Sequence, residues 1–179
     1  MKLRDVVEPG DILLIYPKPK QLLGKIIAGA TFGKVTHACI VVDKDTIFET
    51  DGDMFKAQYQ PLSKYAGRHV IIIAAKSLQG KEHDIKVRCE VYKGAPYSYW
   101  DIATNGVFFW LAAPLRKKVV GFLGNKNFML CSELTTRIAY DVGHHKSLRE
   151  YEGLTPEDFR QLALLWPEEY QYQDFQATA

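Results

Sequence analysis

Three residues of this chain could together carry out nucleophilic chemistry, and the first is a cysteine. Cys131 lies in Phe128-Met129-Leu130-Cys131-Ser132-Glu133-Leu134, and the apolar spacing of Leu134, Ile138 and Val142 predicts a helix over 130–142, stopped by Gly143. That places Cys131 in the first turn. Backbone N–H groups and the helix dipole there favour a thiolate, and they supply donors for an oxyanion. A thiolate also needs a base, and the base needs a group that orients it. Taken alone, a free cysteine more often reads as a small core residue.

His37 and Glu49 supply the missing partners. A β-branched run predicts a strand over 36–42 and a second over 46–50, joined by the polar turn Asp43-Lys44-Asp45. On the first strand His37, Cys39 and Val41 share one face, and Ala38, Ile40 and Val42 the other. A hairpin brings its two open ends together, so His37 and Glu49 are neighbours, and Glu49 can accept the proton on the far imidazole nitrogen. Alternation within each strand leaves open whether the two side chains share a face. Asp45 sits at the wrong end of the hairpin, and Asp51 and Asp53 read as turn residues. A lone strand histidine is more often structural, so the assignment rests on the group.

The remaining pattern supplies a scaffold. Pro9-Gly10-Asp11 is a turn signal before the apolar run Ile12 to Tyr16, read as the first strand, and 21–30 reads as a short helix. His69 to Ala75 is a nearly continuous apolar run, the mark of a strand buried on both faces. Over 81–92 Ile85, Cys89 and Tyr92 form one helical stripe, ended by Gly94 and Pro96; 97–109 reads as another helix. Thr155-Pro156-Glu157-Asp158 is a helix start, and Pro167 keeps that helix short. Strands gather in the first half and helices in the second, which is an α+β layout of one domain, with an antiparallel sheet or small barrel packed against helices.

Composition excludes several classes. The chain has 179 residues, enough for a core, and a net charge of +2, too small to argue for nucleic acid. Its three cysteines, Cys39, Cys89 and Cys131, include no CxxC pair, which argues against a disulfide framework and a structural zinc site. His144 and His145 are adjacent and point apart on either kind of element, so they read as a solvated loop pair. No metal and no cofactor is expected. The start has too short an apolar run for a secretory signal, and no stretch is long enough for a membrane span, so the expected location is cytoplasmic.

Five segments in order carry a resemblance: Pro9 to Leu14 (PGDILL), Val35 to Val42 (VTHACIVV), Ile47 to Thr50 (IFET), Tyr92 to Asp101 (YKGAPYSYWD) and Phe128 to Tyr140 (FMLCSELTTRIAY). Together they resemble the circularly permuted branch of the NlpC-type papain-like superfamily, the YiiX-like group. Unpermuted relatives run from a Gly-x-Pro-Tyr stretch into the nucleophile's helix, and a His strand follows. Here Gly94-Ala95-Pro96-Tyr97 leads into Cys131-Ser132-Glu133-Leu134, but the His strand comes first. The resemblance spans about Pro9 to Phe159. It implies a permuted papain-like fold with Cys131 as nucleophile, His37 as base and Glu49 as the residue that orients it, and it matches Tyr97 to a tyrosine lining the nucleophile.

The implied activity is hydrolysis of an amide through a thioester, with a peptide (murein-derived among the candidates) or an N-acyl amine as substrate. Backbone groups at the helix start, with Ser132 and the hydroxyl of Tyr97 or Tyr16, would serve the oxyanion and the substrate. Two alternatives stay open: a lipid acyltransferase or thioesterase, as in the related lecithin:retinol acyltransferase group, and a non-catalytic ligand-binding module. One departure bears on this choice. The segment between Tyr97 and Cys131 is longer than in simple relatives, and 107–123 within it runs apolar, basic, apolar, through Arg116-Lys117-Lys118. It reads as a core helix with a loop, or as a lid or lip that makes peripheral contact with an anionic lipid surface.

Overall fold

In a computed structural model of the chain, residues 1–17, 33–50, 56–96, 131–143 and 155–176 are described. Their strands are β1 (Ile12–Ile15), β2 (His37–Asp43), β3 (Thr46–Glu49), β4 (Gln58–Pro61), β5 (His69–Ala75) and β6 (Tyr170–Gln176). They pair as one antiparallel sheet of six in the order β4-β3-β2-β1-β5-β6. The helices among these residues are α1 (Glu82–Tyr92), α2 (Cys131–Asp141) and α3 (Pro156–Leu165). The α+β class is as expected, and the sheet is antiparallel.

Alternation along the strands sorts the apolar side chains into two cores. Ile12, Leu14, Ala38, Ile40, Phe48, Ile71 and Ile73 face the helices and pack with Ile85, Cys89, Leu134, Ile138 and Phe159. Leu13, Ile15, Cys39, Val41, Ile47, Val70 and Ile72 face the other way, onto Leu3, Val7, Leu62, Tyr65 and Phe175. Burial on both faces explains why β1, β2 and β5 are nearly continuous apolar runs. Truncating a residue such as Ile71 to Ala would cost about 2–5 kcal/mol.

The helix ends follow the sequence signals. The Thr155 hydroxyl accepts from the Asp158 N–H at 3.2 Å, and the Asp158 carboxylate accepts from the Thr155 N–H at 3.0 Å. With Pro156 in the first turn, this fixes where α3 begins. Gly143, at φ 91°, ends α2 in the left-handed region. That stop, with the C-terminal Val142 carbonyl accepting from Lys81 Nζ at 3.0 Å, ties α2 to the start of α1.

Two features depart from the sequence reading. Strands are not confined to the first half: β6 returns at the C-terminus and pairs along all of β5. Only Tyr170 and Phe175 of β6 are buried, and its polar residues at the sheet edge hide the strand signal. The second feature is a one-residue irregularity in the β2–β3 hairpin, where Asp43 pairs Thr46 but Val41 pairs Ile47 and Ile40 pairs Phe48. Without the extra residue, Glu49 would lie opposite Ile40 and face the helices. With it, the register continues to Cys39, and Glu49 joins the face of His37.

None of the described helices is long and apolar enough to cross a membrane. The expected helices at 21–30 and 97–109, Asp51 and Asp53, Tyr97, the segment 107–123 and the pair His144-His145 all lie outside the described residues.

Candidate active site

His37 is the first residue of β2, and Glu49 the last of β3. The shifted register makes them a diagonal cross-strand pair, within reach of long side chains. Glu49 Oε2 lies 2.7 Å from His37 Nε2, with the carboxylate fully buried and the imidazole 16% exposed. That contact leaves Nδ1 for the sulfur of Cys131, with which His37 shares a hydrogen bond. Cys131 arrives from the other side of the sheet as the first residue of α2, buried at the end of the strands. The structure therefore brings together all three residues expected from the sequence.

Electrostatics separates Cys131 from the other two cysteines. All three are free and buried. Burial pushes the Cys39 thiol well above its usual range and the Cys89 thiol up to about 12. Burial acts on Cys131 in the same direction, but it is outweighed. The His37 charge and hydrogen bond, with the backbone N–H groups of Ala38 and Ser132, bring its thiol below the ordinary value. Burial disfavours a charged imidazole, yet the thiolate and the Glu49 carboxylate overcome it and raise His37 to about 10. Burial likewise opposes the Glu49 carboxylate, but hydrogen bonds and cations hold it down at about 2. All three shifts run in one direction: they favour a thiolate beside an imidazolium beside a carboxylate.

Sequence reasoning missed the groups that hold Glu49. Lys64 Nζ donates to its Oε1 at 2.5 Å, and the Tyr65 hydroxyl donates to its Oε2 at 2.5 Å. Both come from the 3-10 turn Leu62–Tyr65, which follows the β4 residue Pro61. Leu62 and Tyr65, three apart and so on one side of that turn, anchor it in the second core. No motif marks them, because only the pairing of β3 with β4 brings the turn beside Glu49. Ala38 was also missed as a donor, since a backbone N–H leaves no trace in sequence.

Ser132 is buried in the first turn of α2, and its N–H bonds the sulfur of Cys131. Tyr16 is occupied elsewhere. Its ring stacks on His69 with centroids 3.9 Å apart, and its hydroxyl donates to Asp174 at 3.2 Å. Burial and the Asp174 carboxylate push the phenol up to about 12, so its proton is directed to Asp174 and not to the sulfur. The Thr50 hydroxyl, just beyond Glu49, is fully buried without a partner among the described residues.

No family model matches the chain, and no curated protein matches it. Among solved structures, it is similar to the crystal structure of the metalloprotein YiiX from Escherichia coli O157:H7. The superposition has a TM-score of 0.59 and 14% sequence identity, over 95% of this chain and 98% of that one. At that identity the likeness speaks for the fold, and it does so over nearly the whole length of both chains: this protein has the α+β fold of YiiX, the group that its order of motifs resembled.

Proposed function

We propose that this chain is a cysteine-nucleophile hydrolase that cleaves an amide through a thioester. The single observation that carries the reading is selective: of three buried cysteines, Cys131 alone has its thiol lowered, and it alone shares a hydrogen bond with a histidine that a buried carboxylate orients.

The Cys131 thiolate attacks the substrate carbonyl carbon. A C–S bond forms, and the carbonyl π pair moves to oxygen as an oxyanion. The backbone N–H of Ser132 at the start of α2 and that of Ala38 lie beside the sulfur and are the donors on hand for that charge. As the intermediate collapses the C–N bond breaks, and the His37 imidazolium gives its proton to the leaving amine. His37, now neutral, takes a proton from water as the water oxygen attacks the thioester carbon; the C–S bond then breaks, the acid leaves, and the Cys131 thiolate beside the His37 imidazolium is restored. Glu49 touches no reacting atom; it fixes the imidazole and balances its charge.

A metal centre, as in the name of the structural neighbour, is a separate matter. Among the described residues no three His, Cys, Asp or Glu side chains are grouped to hold an ion. Both oxygens of Glu49 are committed to His37, Tyr65 and Lys64, which leaves one thiol and one imidazole nitrogen. Among the described residues this donor set does not fit a metal.

Iodoacetamide labelling read by peptide mass tests the nucleophile. At neutral pH Cys131 should label at least tenfold faster than Cys39 and Cys89, and His37→Ala should slow it by about 10²-fold or more. Equal labelling of all three would overturn the reading. Murein peptides, N-acyl amines and acyl lipids, offered with and without an amine acceptor, distinguish hydrolysis from acyl transfer by product mass. Transfer to the acceptor would favour the acyltransferase alternative, and binding without turnover the ligand-binding module.

A further inference from the structure

We propose that Lys64 and Tyr65 are positioning residues for the Cys131–His37 pair, acting through Glu49, and that Cys131, His37, Glu49 and Lys64 work as one row of alternating charge. The inference rests on the reading of Cys131 as the nucleophile.

Glu49 is a carboxylate at 0% exposure, between two strands and the turn that follows β4. An ionised carboxylate in that position must be satisfied by charge and hydrogen bonds, or it takes up a proton. Three donors meet it. Lys64 Nζ takes Oε1 at 2.5 Å, while Tyr65 OH at 2.5 Å and His37 Nε2 at 2.7 Å share Oε2. Tyr65 is buried, so its hydroxyl approaches from within the second core. Lys64 is 31% exposed and brings its charge from the solvent edge, with its ammonium 5.7 Å from the Tyr65 ring centre.

The groups that face Glu49 are therefore His37 and Cys39 from β2, and Lys64 and Tyr65 from the turn. Cys39 is kept neutral by burial. What remains is a thiolate, an imidazolium, a carboxylate and an ammonium in sequence, with no net charge. Such a row tolerates burial because each charge has an opposite neighbour. Remove the ammonium, and Glu49 keeps its burial with one cation instead of two. Its protonated form gains, and a neutral Glu49 no longer supports the imidazolium. The imidazolium in turn no longer supports the thiolate. Lys64 thus reaches the sulfur through two intermediaries, without touching substrate.

The pH dependence of Cys131 alkylation reads this relay. In wild type the rate should fall only at low pH. Lys64→Met should move that acid limb up by about one pH unit, so that near the limb the rate is about tenfold lower. Lys64→Arg should return it close to wild type, because a guanidinium restores the charge. Tyr65→Phe, which removes one hydroxyl, should move it in the same direction by about half as much. Circular dichroism and melting temperature establish that each variant is folded, and Tyr65→Phe serves if Lys64→Met does not fold. A folded Lys64→Met or Tyr65→Phe with a lowered melting temperature and an unmoved acid limb would make the turn a brace only, and would overturn this inference while leaving the nucleophile assignment standing. Wild-type Cys131 that labels no faster than Cys39 and Cys89 would overturn both.

Discussion

The same end of the sheet carries two histidine–carboxylate pairs, and they differ in almost everything but composition. His37 opens β2 and bonds Glu49; His69 opens β5 and bonds Asp174. In the first pair the imidazole is 16% exposed and the carboxylate 0%; in the second the figures are 41% and 46%. Glu49 also takes donors from Lys64 and Tyr65, and a cysteine meets the other side of His37. Asp174 takes a tyrosine hydroxyl, and His69 is covered by the ring of Tyr16. The first pair sits out of water with its charges matched, so each member strongly sets the charge of the next. The second stands in solvent, where water and salt screen it and it serves chiefly to hold an aromatic plate. What turns a histidine–carboxylate contact into a relay is burial with complete partnering, not the contact.

The largest way to test that contrast is to remove each carboxylate. Glu49→Gln leaves buried cations facing a neutral amide and should lower stability by about 3–5 kcal/mol, whereas Asp174→Asn should cost under about 1 kcal/mol, both read by urea denaturation. Equal losses would erase the distinction. The pH dependence of stability sharpens it. Glu49, lowered to about 2 from an ordinary 4.5, contributes stability that is present above 4.5 and lost as pH falls toward 2. His37, raised to about 10 from 6.5, contributes stability that is present below 6.5 and lost as pH rises through 10. The melting-temperature gap between wild type and Glu49→Gln should therefore be widest from about pH 4.5 to 6.5 and narrow on either side. A gap constant from pH 2 to 10 would contradict the charged pair.

Salt gives a smaller effect. Raising ionic strength to about 1 M should remove most of what Asp174 contributes and little of what Glu49 contributes, seen by repeating the two denaturation series. Smallest of all, a chelator should leave the Cys131 labelling rate unchanged, since the described donors there do not make a metal site. A chelator-dependent rate would return a metal to the question.

Much of the fold was legible because it rests on local signals. The runs at Ile12, His37 and His69 are apolar and β-branched over a strand's length, and Thr155-Pro156 and Gly143 mark helix ends through bonds made within a few residues. The strand at Tyr170–Gln176 was not legible: an edge strand buries two side chains, and its remaining residues answer to solvent. In the site, Cys131 and its helix were legible for the same local reason, and His37 and Glu49 as the two ends of a hairpin.

The sequence by itself determined that a cysteine begins a helix, that a histidine begins a strand, and that a glutamate ends the next one. Tertiary structure decided whether they could act together. The extra residue between Val41 and Asp43 turned Glu49 to the face of His37, because a slip of one residue exchanges the faces of a strand. The pairing of β3 with β4 then set Lys64 and Tyr65 against the carboxylate, and α2 packing on β2 brought Cys131 to the imidazole. Charge state follows from burial and from neighbours distant in the chain. For that reason three cysteines of one type become two whose thiols are raised and one whose thiol is lowered.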